Sequence, residues 1–303
     1  MNSRLANHLL SATALILVGF LAGCGRTSST LAPQSSTASA AGDDLPTLQA
    51  GAFGSENEAE EAAPESPRQA TLLTGPTVIT ESGDYRLAAD FEVKEGDGIV
   101  VKANNVRVWL GERKLTGPGN KVGRAIVLDG VRNVLVLGGR VERFGLGAAV
   151  LGSSDCRVSG LQVTGGDETA DPANGNPPQI GVMLVNSSQN RISRNSMSGV
   201  NLGIFIRGGR SYENIIRRNS VVAGKHGLLA ICYNPAAGEG VAGPQHDRVS
   251  LNLLSRFSTG ISASAGSSEN YFVRNRIQYI NAAYADANGT NVFENNQTEQ
   301  VAR

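Results

Sequence analysis

The sequence predicts an all-β solenoid of stacked coils from residue 71 to residue 303, and three observations predict it. First, asparagines recur at Asn195, Asn219, Asn252, Asn275 and Asn295, spaced 24, 33, 23 and 20 residues apart. Three residues before each stands an apolar residue: Ile192, Ile216, Val249, Phe272 and Val292. Two residues after the first four stands another: Met197, Val221, Leu254 and Ile277; the fifth breaks the pattern with Gln297. Second, a short apolar run precedes each of the first four asparagines: Gly181-Val182-Met183-Leu184, Gly203-Ile204-Phe205-Ile206, Gly227-Leu228-Leu229-Ala230 and Gly260-Ile261-Ser262-Ala263. Third, no helical stripe of useful length occurs, glycine is abundant at 37 residues, and aromatics make up only 5%.

Each unit of roughly 22 residues therefore reads as three short strands of period-two alternation joined by tight turns. Such a unit cannot close a core alone and must stack on its neighbours. The recurring asparagine falls between the second and third strands. It tolerates the left-handed backbone region, and stacked asparagines hydrogen-bond along the axis. Less regular first strands occur earlier, at Gly98-Ile99-Val100-Val101, Ala125-Ile126-Val127-Leu128 and Ala148-Ala149-Val150-Leu151.

This pattern resembles the right-handed parallel β-helix proteins of the pectate-lyase-like superfamily, in which the corresponding turn carries an asparagine ladder. The entry segment, Val78 to Leu87 followed by Gly98-Ile99-Val100-Val101 and Val106-Arg107-Val108-Trp109-Leu110, resembles the opening of NosD-like members. The resemblance implies a single-stranded right-handed parallel β-helix of about eight to nine coils. It implies no single activity, because the fold hosts lyases, hydrolases, epimerases, accessory proteins and pure binders.

Two long connections mark where a site would lie. Residues 166–179 join a third strand to the next first strand, and residues 234–246 join a first strand to the second. Both flank the first-strand sheet, where the superfamily's polysaccharide groove lies. Alternation places Val100, Val127, Val150, Met183, Phe205 and Leu229 on the outer face of that sheet. Two residues further on come Lys102, Asp129, Val185, Arg207, Ile231 and Ser264. An apolar outer face needs a cover or a partner: the loops bury it, or it floors a groove. On the groove reading, Phe205, Met183, Leu229, Arg210 and His246 contact a ligand.

Three chemistries are weighed. Inverting hydrolysis needs a carboxyl pair, and the first strands supply only Asp129. A metal-assisted route needs clustered oxygen ligands; Asp167, Glu168 and Asp171 form a candidate Ca²⁺ set, set against a plain solvated loop. A lyase or epimerase acting on uronate needs a charge neutraliser, a base and an acid. Arg207 (with Arg210 as a second neutraliser), Lys225 or His226, and Tyr233 fill those roles in turn. The histidines and methionines are scattered, which speaks against metal handling. His246-Asp247 reads as a local pair, and Arg194, Arg218 and Arg274 as a solvated basic edge.

The first 70 residues carry an address. Arg4, the apolar run Leu9 to Phe20, and Leu21-Ala22-Gly23-Cys24 resemble a lipoprotein signal and lipobox. The resemblance implies a signal peptide over 1–23, lipid on Cys24, and, with Gly25 next, the outer membrane of a two-membrane envelope. Residues 24–70 lack a periodic apolar face and carry 2 basic against 7 acidic residues, so a disordered acidic tether is expected. Membrane contact then runs through the anchor only. The partner is a polysaccharide or an envelope protein. Nucleic acid is not expected, because no basic run is interleaved with aromatics. Cys156 and Cys232 fall three coils apart, too far for a disulfide, and are expected to be free and buried.

Overall fold

The computed structural model describes residues 69–171, 175–234, 242–287 and 289–302. The signal peptide, Cys24 and most of the tether lie outside them. The described chain consists of strands, turns and loops without a helix, and every named strand pairing is parallel, strand on strand in successive coils. About nine coils stack, each offering three short faces.

The first sheet runs through Ile99–Val101, Arg124–Asp129, Leu146–Leu151, Ile180–Val185, Leu202–Arg207 and Leu229–Asn234. The second includes Arg157–Ser159, Arg191–Ser193, Ile215–Arg217, Arg248–Ser250 and Tyr271–Val273. The third includes Gln162–Thr164, Ser196–Ser198 and Ser220–Val222. Near the start, Val106–Thr116 and Val134–Glu142 run from the second face onto the third without a break. Gly111, Gly138 and Gly139 turn that corner with positive φ.

Alternation sends one residue in two inward, and the inward residues stack by type. Val158, Ile192, Ile216, Val249 and Phe272 form one column in register. Val163, Met197, Val221, Leu254 and Ile277 form another. Nearly all are fully buried, so each coil shields its neighbour's apolar surface. The interior is narrow, and only glycine or alanine stands where a first strand begins, as at Gly181, Gly203 and Ala230. A Cβ on Gly203 would lie 2.4 Å from both the Ala230 carbonyl oxygen and Val221 Cγ1.

The asparagine ladder is present. Each ladder amide donates through Nδ2 to the next Oδ1: Asn195 to Asn219 at 3.0 Å, Asn219 to Asn252 at 3.0 Å, Asn252 to Asn275 at 2.9 Å, Asn275 to Asn296 at 3.0 Å. Two expectations are corrected. The last member is Asn296, not Asn295, and Thr298 continues the Ile277 column. The left-handed backbone falls on the residue before each ladder asparagine, at Arg194, Arg218, Leu251, Arg274 and Asn295, not on the asparagine. The asparagines are selected by their side-chain hydrogen bonds rather than by their tolerance of positive φ.

A second ladder lies five residues upstream, at Asn190, Asn214, Asp247, Asn270 and Asn291. His246-Asp247 is therefore not a local pair. His246 Nε2 meets Glu269 Oε2 of the next coil at 2.5 Å, while Asp247 is wholly buried in the ladder. Cys156 and Cys232 are free and buried, and burial pushes the Cys156 thiol up to about 11.

Candidate functional site: the first sheet and its entry corner

The outer face of the first sheet holds an apolar cluster of its own: Val127, Leu146, Ala149, Ile180, Leu202, Phe205, Leu229 and Cys232. Val100, Leu151, Met183 and Leu228 border it and are partly exposed. The middle of the face is thus closed to solvent, with Phe205 1% exposed, and its margins are open. Along one margin, residues in register on successive coils are Asp129, Leu151, Val185, Arg207 and Asn234. Asp129 is paired with Lys102 at 3.5 Å. Burial lowers the Arg207 guanidinium from its ordinary value.

Register corrects three assignments. Val150 and Ile231 point inward and are fully buried, because they pair with Leu184 and with Ile204, both core residues. Tyr233 pairs with Ile206 and is likewise in the core, 0% exposed. It packs edge-on against Phe272, ring centroids 5.4 Å apart. It cannot donate a proton to a ligand on the surface.

The strands enter this sheet through a polar corner made by residues 166–171. Burial works to raise the Asp167 carboxyl, but the backbone N–H groups of Lys225 and His226 outweigh it and hold it below its ordinary value. Gly224 leaves room for that carboxylate: a Cβ there would stand 2.1 Å from Asp167 Oδ1. Glu168 accepts from Asn120 Nδ2 at 2.7 Å and lies 4.0 Å from Lys121 Nζ. Lys121 Nζ also reaches the Thr169 carbonyl at 3.4 Å, and Thr169 Oγ1 lies 3.5 Å from the His226 ring. Burial lowers the Lys121 ammonium, with Glu168 opposing. Beneath, the side-chain amide of Asn201 donates to the Glu168 and His226 carbonyls, and its Oδ1 accepts from Gln179 N. Lys121, Gln179 and Asn201 were not singled out from the sequence. Their partners come from separate coils, and only the buried amides of Gln179 and Asn201 at successive strand entries hint at the seam.

A family model described as the right handed beta helix region matches residues 91–277, more than half of the chain. The chain belongs to the right-handed β-helix family. A search of curated proteins gives no match.

In this β-helix the proposed catalytic groups do not converge. His226 precedes the strand Leu229–Asn234, whereas Arg207 closes the neighbouring strand Leu202–Arg207. At ~3.3 Å per residue the five steps along a strand separate its two ends by roughly 16 Å. Arg210 is exposed beyond that far end, and His246 sits on the turn toward the second sheet. The three acidic residues of the loop also diverge. Asp167 caps the backbone at 225–226, Glu168 faces Asn120 and Lys121, and Asp171 bridges to Asn176. Among the described residues no three His, Cys, Asp or Glu side chains are grouped as a metal would require.

Proposed function

We propose that this β-helix is a non-catalytic binding module that holds a polysaccharide along the open margin of its first sheet, displayed at the cell envelope by a lipid on Cys24. The observation that carries the reading is the axial row Asp129, Leu151, Val185 and Arg207, with Lys102 paired to its first member. Its centre is two half-buried aliphatic side chains, and its ends are charged. Spaced at ~4.8 Å per coil, such a row offers apolar contact for sugar-ring faces and polar anchors for hydroxyls. The dispersal of His226, Arg207 and Tyr233 supports binding over chemistry.

The test is retention of the full chain on a panel of immobilised envelope polysaccharides, with absorbance of unsaturated sugar ends followed in parallel. Retention is expected, and Leu151→Glu should lower it about tenfold, because a charge replaces the apolar contact at the centre of the row. Retention by none of the polymers, or equal retention of the variant, overturns the reading. Growth of unsaturated ends would instead favour a lyase at the corner where Lys121, Glu168 and His226 surround Thr169. Display is checked separately: Cys24→Ser should move the protein from the membrane fraction to the soluble fraction, and a variant that stays with the membrane refutes lipid anchoring there.

A further inference from the structure

The turns that lead from the first sheet to the second run beside the row Asp129, Leu151, Val185 and Arg207, and they carry a row of their own. Arg132, Ser154 and Ser188 stand in register on successive coils, and Tyr212, Gln245 and Ser268 continue the row on the coils that follow. The bonds from Ser187 N to Ser211 Oγ and from Asn190 Nδ2 to Asn214 Oδ1 align Ser188 with Tyr212. The strands Leu146–Leu151 and Ile180–Val185 reach their turn serines, Ser154 and Ser188, in three residues, whereas Leu202–Arg207 reaches Tyr212 in five. The extra residues form a raised turn. Ser211 N donates to the Gly208 carbonyl at 3.0 Å and Ser211 Oγ to the Arg207 carbonyl at 2.7 Å, which closes it. Gly209 seats it on the next coil: a Cβ there would stand 2.7 Å from the Ala242 carbonyl oxygen.

Tyr212 is thus held between Ser211 and Asn214, both wholly buried, yet is itself 41% exposed. Among the described residues no other aromatic side chain is exposed to this degree. The fold does not ask for an aromatic here, because serine or glutamine fills the same place at Ser154, Ser188, Gln245 and Ser268. Among the described residues the Tyr212 hydroxyl, Ser188 Oγ and the Gln245 side-chain amide have no hydrogen-bond partner. Beside the ring, Gln189 Nε2 donates to Glu213 Oε2 at 3.1 Å. The small side chains of Ser154 and Ser188 leave a low strip alongside Leu151 and Val185. Arg132 stands at one end of that strip, and Tyr212 with its raised turn at the other.

We propose that Tyr212 is a stacking platform for one sugar ring of the glycan held along the Leu151 and Val185 row; the proposal rests on the reading of a bound polysaccharide. A pyranose has a face of C–H groups that packs on an aromatic ring, and hydroxyls at its rim that take hydrogen bonds. A sugar hydroxyl both donates and accepts. The amides of Gln189 and Gln245, the Glu213 carboxylate and the Ser188 hydroxyl offer both functions around the ring. The Glu213 carboxylate beside the ring disfavours the phosphates of a nucleic acid. A single exposed ring among polar side chains lacks the contiguous apolar area of a protein-docking patch.

The experiment is affinity electrophoresis of the full chain through gels containing dextran, mannan or alginate. At least one of these polymers is expected to slow the protein. Against that polymer Tyr212→Ala should raise Kd about tenfold, the scale of a well-placed aromatic contact. Tyr212→Phe should stay within about twofold, because the ring face remains and only the hydroxyl is lost. Neither variant should move the thermal midpoint, since the side chain lies outside the core. Equal binding by Tyr212→Ala, with loss on Leu151→Glu, keeps the row and overturns the platform. Loss on Tyr212→Ala with none on Leu151→Glu keeps the platform and overturns the row. Equal losses in Tyr212→Ala and Tyr212→Phe overturn stacking, because the hydroxyl would then be the contact. Retardation by none of the three polymers overturns the platform and the row together.

Discussion

Replacing Asp247 by Asn should raise the urea midpoint of the chain far more at about pH 8 than near pH 4. Asp247 occupies a ladder position at which Asn190, Asn214, Asn270 and Asn291 stand in other coils. In each of those, Nδ2 donates to a carbonyl of the preceding coil: Ser153, Ser187, Pro244 and Ser267 respectively. Asp247 Oδ1 accepts from Asn214 N and Nδ2 as the others do, but Oδ2 takes the place of the donor and closes no hydrogen bond. By the ladder's repeat it faces two acceptors, Asn270 Oδ1 and the Ser211 carbonyl. The hydroxyl of Tyr233 lies beside the carboxyl, and its interaction there favours the ionised form. Burial, with Glu213 adding repulsion against the opposing Asn214 and Tyr233 interactions, pushes the carboxyl up to about 7 from an ordinary 3.8.

The sign follows from proton binding. Between 3.8 and about 7 the folded chain keeps a proton on Asp247 that the unfolded chain has released. Stability from this group is therefore fully present below the lower value, falls as pH rises through the window, and stays low above it. The difference is on the order of 4 kcal/mol. Asn at this position restores the donor and carries no charge, so the gap between variant and native should widen by that order between about pH 4 and about pH 8. Other titrating groups, such as Asp167 with its lowered value, act on both proteins and cancel in the difference. A gap that stays constant across the window would refute a protonated ladder carboxyl.

The ladder and the inward columns were legible because the stretch across each asparagine turn has a fixed length, although the coils themselves do not. From Ile192 to Met197, Ile216 to Val221, Val249 to Leu254 and Phe272 to Ile277, inward residues are five apart and the turn is always the same. The first sheet was harder. Its strands begin at a site held by glycine or alanine, and glycine marks that site at Gly181, Gly203 and Gly260. At Leu229–Asn234 the small residue is Ala230, whereas Gly227 lies before the strand. Aligning Gly227 with Gly203 slips the register by three residues, an odd number, and so exchanges the faces. That slip placed Tyr233 at the surface and Ile231 beside it. A one-residue slip did the same to Val150, because Gly147, not Ala148, pairs at the Gly181 position. The second ladder repeats at a constant five-residue offset but contains Asp247, which hides it from a search for asparagines alone. The corner of Lys121, Glu168 and His226 has no local signature, since coil stacking rather than sequence proximity brings it together.

Asn219→Leu should be the most damaging single change in the ladder, costing roughly 4 to 6 kcal/mol. Asn219 is 1% exposed, and its side chain serves three coils. Its Oδ1 accepts from the backbone N–H of Asn195 and from Asn195 Nδ2, each at 3.0 Å. Its Nδ2 donates to the Ile192 carbonyl at 2.9 Å and to Asn252 Oδ1 at 3.0 Å. Leucine is near enough in size to fill the space but strands the Asn195 donors and the Ile192 acceptor away from water, at about 1–3 kcal/mol each. Asn252 Oδ1 keeps the Asn219 backbone N–H and adds less. The comparison is Asn296→Leu in the last coil. Asn296 makes the same kinds of bonds, to Asn275 and to the Phe272 carbonyl, but is only partly buried. Water can replace its partners, so the loss there should be less than half as large. Because each coil is held only by its neighbours, damage at Asn219 also weakens the stacking of Leu202–Arg207 on Leu229–Asn234, the strands that border both the apolar cluster and the His226 corner. Urea denaturation of the two variants, followed by far-ultraviolet circular dichroism, measures both costs. Equal losses would mean that burial does not set the strength of the ladder, and a loss under about 1 kcal/mol at Asn219 would mean that the coils are held by their apolar columns alone.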